Sequence, residues 1–274
     1  KRQVTELATL SADGGVNDLT IVIRGADATA ATAAQLNTIN DATGVAVDLT
    51  NVTALAGSSL SDLETLATAI GNSEFSNATG LTTIAVTDTT VDATTLATRI
   101  DSYDSINGGS TTDMTLASGA TIEVDAGEIT AMLADETANR LTISDQLITV
   151  NGAITVDNSN LLAATTSGKV TATIATTETV TELATLSADG GTNDLTVVIR
   201  AADATAATAA QLNTINAATA VAVDLTNVTA LAGSTLADLG TLATAINASQ
   251  FSNATGLTTI AVTDTTVDAT TLAT

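Results

Sequence analysis

Ile84-Ala85-Val86-Thr87-Asp88-Thr89-Thr90-Val91-Asp92-Ala93-Thr94-Thr95-Leu96-Ala97-Thr98-Arg99-Ile100-Asp101-Ser102 joins two patterns in one short stretch. The first residues alternate between apolar and small or polar side chains, the period of a strand with one buried face. The later residues change period. Asp92 stands before small residues and the next apolar side chain follows at Leu96, the arrangement of an N-cap opening a helical turn, predicted over Thr94 to Ser102.

The same two phrases recur along the chain. Strand-like alternation returns at Leu19-Thr-Ile21-Val-Ile23, Val45-Ala-Val47-Asp-Leu49, Met114-Thr-Leu116, Leu141-Thr-Ile143 and Val170-Thr-Ala172-Thr-Ile174. The capping phrase returns at Val124-Asp125-Ala126, with a helical turn predicted from Gly127 to Ala134, and at Val156-Asp157-Asn158. Gly-containing turns such as Asn107-Gly108-Gly109 close units of this kind. The predicted core is the apolar set Ile21, Ile23, Val45, Val47, Ile84, Val86, Met114, Leu116, Ile122, Val124, Leu141, Ile143, Ile148, Val150, Ile154 and Val156.

A longer period encloses the short one. Val4 to Thr98 repeats without a gap as Val180 to Thr274, an offset of 176 residues with 11 differences. Residues 4–179 therefore form one long repeat and 180–274 the start of the next. Within 176 residues the short units average about 29 residues, a size typical of solenoid repeats that stack to bury a shared core. The expected fold is mainly β, a β-rich α/β architecture: one continuous parallel β-solenoid over 1–274, its coils of about 29 residues each carrying short strands and a brief helical turn. The complete absence of proline suits stacked strands, each of which needs its N–H for the ladder.

Composition narrows the function. Hydrophobic residues make up 45% of the chain but aromatics only 1%, so small aliphatics must fill any core. The net charge of −23 opposes binding to nucleic acid or to an anionic membrane surface. No apolar run is long enough to span a bilayer. Histidine and cysteine are both absent, which removes Ser–His and Cys–His nucleophiles along with disulfides and thiolate metal sites. The carboxylate pairs Asp88 with Asp92, and Glu123 with Asp125, are candidates for acid–base work. Their places in the repeat read instead as caps and solvated strand positions. The basic residues Arg24, Arg99, Arg140, Lys169 and Arg200 lie far apart in sequence, which argues against a lyase-like groove. The expectation is no enzyme and no required cofactor.

Two weaker motifs remain. Asp13, Asn17 and Asp18 form a dense run of oxygen ligands around Gly14-Gly15, a candidate Ca²⁺ loop as well as an ordinary Asp-Gly turn. Asn51, Asn77, Asn227, Asn247 and Asn253 each begin an Asn-x-Ser/Thr triplet and are candidate glycan acceptors. A Thr-rich ice-binding face is disfavoured, because the outward positions vary: Ala46 and Asp48, Ala85 and Thr87, Thr142 and Ser144.

The phrases Val-Asp-Ala-Thr-Thr-Leu-Ala at Val91, Ala-Ala-Gln-Leu-Asn-Thr-Ile-Asn at Ala33 and Val-Ala-Val-Asp-Leu-Thr-Asn-Val at Val45 resemble those of giant Thr/Ala-rich tandem-repeat proteins. That family comprises cell-surface and extracellular filament proteins of cyanobacteria and other aquatic bacteria. The resemblance implies an extracellular or cell-surface structural role with no catalytic residues. On this reading the chain is a repeat segment of a bacterial fibre, a homopolymer formed by end-to-end self-association, with glycans as candidate partners. The alternative is a spacer stalk of a large adhesin or surface-layer protein.

Overall fold

A computed structural model describes residues 2–11, 17–109, 111–187 and 193–267. It overturns the expectation of a mainly β, single solenoid. The chain is α/β, about 36% helical, with nine α-helices and several separate parallel sheets among the described residues. No single solenoid of coils is indicated among the described residues.

The reason lies in helices that are longer and more numerous than the brief turns expected. Their apolar residues recur at helical spacing, so each grows to several turns and takes a share of the core. Helix Ala33–Asp41 buries Ala33, Leu36 and Ile39. Helix Leu60–Gly71 buries Leu60, Leu63, Leu66 and Ala69. The turn expected over Thr94 to Ser102 is the 14-residue helix Ala93–Ile106, which buries Leu96, Ile100 and Tyr103. The turn expected from Gly127 begins later, as helix Ile129–Thr137. Strands are correspondingly short, mostly two to five residues.

The chain divides into two compact units, Lys1–Gln146 and Leu147–Thr274, a boundary inside the first long repeat. In the first unit, strands Ala54–Ser58, Thr83–Val86, Asp113–Leu116 and Leu141–Thr142 form a parallel sheet in chain order. Val47–Asp48 pairs with Phe75–Ser76, and Thr90–Asp92 with Thr121–Asp125, both in parallel. Parallel neighbours need a long crossover, and the helices supply it. In the second unit Leu147–Ile154, Val170–Ile174 and Asp194–Thr196 pair in parallel. There Val223–Asp224 pairs with Phe251–Ser252, and Ala230–Ser234 with Thr259–Val262.

Fifteen of the predicted core residues are buried, from Ile21, Ile23 and Val47 to Ile154 and Val156. Val45 is only half-buried, because the strand there shrinks to Val47–Asp48. Leu19 to Ile23 is likewise no strand; Val22 makes one isolated parallel bridge to Asp48. Val156 opens helix Val156–Thr165 instead of ending a strand, and the cap there is Thr155, not Asp157.

Candidate functional site

The feature that recurs most faithfully is a clasp at the helix N-termini. A helix leaves its first N–H groups without internal partners. The residue before several of the helices satisfies one in the ordinary way: Thr32 accepts from Gln35 N at 3.2 Å, Ser59 from Asp62 N at 3.1 Å and Asp92 from Thr95 N at 2.9 Å. In three helices of the first copy the first helical N–H is bound by a side chain supplied later in the chain. Val4 N donates to Asp27 Oδ2 at 3.0 Å, Ala33 N to Ser58 Oγ at 2.9 Å and Leu60 N to Asp88 Oδ2 at 2.8 Å. The partners lie 23, 25 and 28 residues on, in the following short repeat.

The second copy repeats the clasp with the same residue types. Val180 N donates to Asp203 Oδ2 at 2.7 Å, Ala209 N to Ser234 Oγ at 2.9 Å and Leu236 N to Asp264 Oδ2 at 2.7 Å. Asp27 is itself gripped by Arg24, Nε to Oδ2 at 2.7 Å. That bond, with the Val4 N–H behind it, holds the Asp27 carboxyl below the usual aspartate range.

Asparagine amides form a second line across the repeats. Asn51 Nδ2 donates to the Ile23 carbonyl at 2.7 Å and Asn227 Nδ2 to the Ile199 carbonyl at 2.8 Å. Asn77 and Asn253, both at φ 57°, donate to Asp48 Oδ1 and Asp224 Oδ1 at 2.9 Å. The Thr50 hydroxyl and the Asn77 amide hold Asp48 below its ordinary pKa, and the Asn253 amide does the same for Asp224. Four of the five candidate glycan acceptors thus already engage Nδ2, the atom that a glycan would occupy. Asn51 and Asn227 are also half-buried. Asn247 differs: it is exposed at the end of helix Leu236–Asn247.

The remaining sequence candidates fall into structural places. Asp88 and Asp92 cap different helices. Glu123 and Asp125 face outward on a strand whose Ile122 and Val124 are buried. Of the Ca²⁺ candidates, Asp13 lies outside the described residues, while Asn17 and Asp18 are exposed. The Asn17 carbonyl accepts from Gly44 N at 2.8 Å and from Thr43 Oγ1 at 3.0 Å. No cluster of three acidic side chains suited to a metal occurs among the described residues.

Sequence reasoning missed what the scattered basic residues do. Each of the five answers nearby carboxylates. Arg24 pairs with Asp27 and Arg200 with Asp203, Arg99 with Glu64 at 3.2 Å, and Lys169 with Asp194. Arg140 meets three: Asp104 at 2.7 Å, Asp135 at 2.8 Å and Asp101. This fork ties helix Ala93–Ile106 to helix Ile129–Thr137. Between them lies an apolar cavity of about 220 Å³ lined by Leu96, Ile100, Met132 and Asp135. Burial raises the Asp135 pKa, Arg140 opposes the rise, and Asp101 and Asp104 add to it. The repeated spacing Arg24-x-x-Asp27 and Arg200-x-x-Asp203 was the one such signal visible in the sequence.

No protein-family model matches the chain, and neither a curated protein nor a solved structure matches it.

Proposed function

We propose that the chain is a non-catalytic structural segment of an extracellular bacterial fibre, in which α/β repeats joined by side-chain clasps set length and chains associate end to end. One observation carries this reading. The clasps recur after 176 residues with the same partners, while none of the 11 substitutions between the copies falls on Asp27, Asn51, Ser58, Asn77 or Asp88 or on their counterparts. In the described structure, Asp27, Asn51, Ser58, Asn77 and Asp88 each bind a group 23 to 29 residues earlier in the chain. Strong acidity keeps such a segment soluble before assembly.

Negative-stain electron microscopy of the purified chain tests the proposal. Long unbranched fibres with a regular axial repeat are the expected result. Discrete, monodisperse particles at every concentration would overturn polymerisation and leave a spacer stalk of a surface protein as the account of the same repeats.

A further inference from the structure

One gap between neighbouring helices is left unfilled. Helix Leu60–Gly71 and helix Ala93–Ile106 meet across Tyr103, which is fully buried and donates its hydroxyl to the Leu63 carbonyl at 3.0 Å. The next pair, Ala93–Ile106 and Ile129–Thr137, has small side chains where it faces the cavity of about 220 Å³: half-buried Ala97 and exposed Ala131. Their methyl groups leave the helices apart, over an apolar floor of buried Leu96, Ile100, Met132 and Leu141. All of the lining residues lie within 93–141, inside the unit Lys1–Gln146.

Two carboxylates line the same cavity. Asp135 is only 9% exposed; its Oδ1 accepts from Arg140 Nη1 at 2.8 Å, while its second oxygen has no hydrogen-bond donor among the described residues. A nearly buried carboxylate short of donors is costly to keep ionised, and burial duly raises the Asp135 pKa. Glu128 stands seven residues earlier, at the start of the same helix, half-buried and accepting from Thr94 Oγ1 at 2.5 Å. Seven residues make two turns, so both acids lie on one side of the helix, their Cα atoms about 10.5 Å apart. Among the described residues no basic side chain lines the cavity, and Arg140 beside it is already shared with Asp101 and Asp104.

We propose that this cavity binds a short linear aliphatic diamine, its methylenes against Leu96, Ile100 and Met132 and its two ammonium groups on Asp135 and Glu128. The inference is independent of the fibre reading. An extended four-methylene diamine spans about 6 Å between its nitrogens. An N–O contact of about 2.8 Å at each end extends that reach to about 11–12 Å, close to the separation of the two acids. Its six non-hydrogen atoms, at no more than the roughly 30 Å³ that a water takes up, need about 180 Å³ and so fit the space. An ammonium group carries three donors and supplies the one that Asp135 lacks. The apolar floor excludes water from the methylenes and strengthens both ionic contacts.

Isothermal titration calorimetry of the full chain with 1,4-diaminobutane tests the assignment, at about 0.15 M salt so that diffuse attraction to an acidic surface is screened. One saturable site per chain is expected. 1-Aminobutane, which lacks the second ammonium, should bind about 10-fold more weakly or worse. Glu128→Gln should bring the diamine down to the affinity of the monoamine. Ala131→Leu keeps every charge, replaces an exposed residue of a helix with another good helix former, and puts its larger side chain where the methylenes would lie. That variant should lose the saturable site, with circular dichroism confirming that both variants stay folded. Equal affinity for the two amines, or a diamine affinity unchanged in either folded variant, would mean diffuse counterion attraction and overturn the proposal. So would the absence of saturable binding by the unaltered chain at up to about 10 mM diamine.

Discussion

Val4–Thr98 and Val180–Thr274 are nearly one sequence set down twice, and the few differences separate what the repeat must keep from what it can lose. At position 74 the first copy has Glu and the second, at 250, has Gln. Asn40 Nδ2 reaches Glu74 at 2.6 Å and Asn216 Nδ2 reaches Gln250 at 3.1 Å, so the bond survives loss of the charge, longer as a neutral pair should be. Ser59 becomes Thr235 and still caps its helix, accepting from Asp238 N at 3.2 Å. Gly44 becomes Ala220 and still donates its N–H at 2.8 Å. At position 74 charge is expendable while donor and acceptor are kept, although the Asn72 amide that also reaches Glu74 at 3.3 Å is lost in the second copy, where Ala248 stands.

The largest break between the copies is expected where burial differs. Leu63 is fully buried beneath helix Ala93–Ile106, whose Tyr103 hydroxyl donates to the Leu63 carbonyl at 3.0 Å. Its counterpart Leu239 is half-buried. Leu63→Ala should cost about 2–5 kcal/mol, with a cavity left under the helix, and Leu239→Ala about 1–2 kcal/mol from lost burial alone. Urea unfolding of the two variants measures the gap. Equal losses would mean that the following repeat adds nothing to the stability of the one before it.

A smaller effect should be equal in the two copies. Ser58 and Ser234 are buried hydroxyls that accept from a helix N–H and donate to the Ala56 and Ala232 carbonyls at 2.7 and 2.8 Å. Alanine at either site strands a buried donor, at a cost of about 1–3 kcal/mol. Hydrogen exchange at the Ala33 amide in Ser58→Ala, and at the Ala209 amide in Ser234→Ala, should accelerate by similar factors. A response in one copy alone would contradict the equivalence of the two clasps.

Much of this was legible in the sequence, for physical reasons that particular residues illustrate. The alternation at Ile84 to Val86, Met114 to Leu116 and Val170 to Ile174 marks strands, because a residue every second position must enter the core. The 176-residue period can be read directly from the sequence. Helix length was not legible: Leu60, Leu63 and Leu66 recur at intervals of three, but Ser61, Asp62 and Thr65 between them fit a turn as well as a helix. Val45 and Val156 misled because a strand's end depends on its neighbour as much as on its own residues. The clasps were hidden for another reason. Asp27, Ser58 and Asp88 look like surface polar residues, and only the fold brings each to a helix end formed 23 to 28 residues earlier. Asn51 and Asn77 were read for the triplet that follows them, while the structure uses their side-chain amides.

The smallest contrast concerns a change that the second copy tolerates. Glu64 pairs with Arg99 across 3.2 Å, but its side chain is 66% exposed, where such an ion pair adds little. The second copy has Gly240 there, inside helix Leu236–Asn247 with nothing within 4 Å of the place a Cβ would occupy. Glycine in a helix interior lowers stability by about 1 kcal/mol relative to alanine, because the unfolded chain loses more freedom on folding. Gly240→Ala should therefore stabilise the second copy's helix by about 0.5–1 kcal/mol, read as a shift in the urea midpoint with an unchanged slope. A neutral or destabilising result would show that glycine itself is required at 240, and that this difference between the copies, unlike the one at position 74, is not simple tolerance of a lost charge.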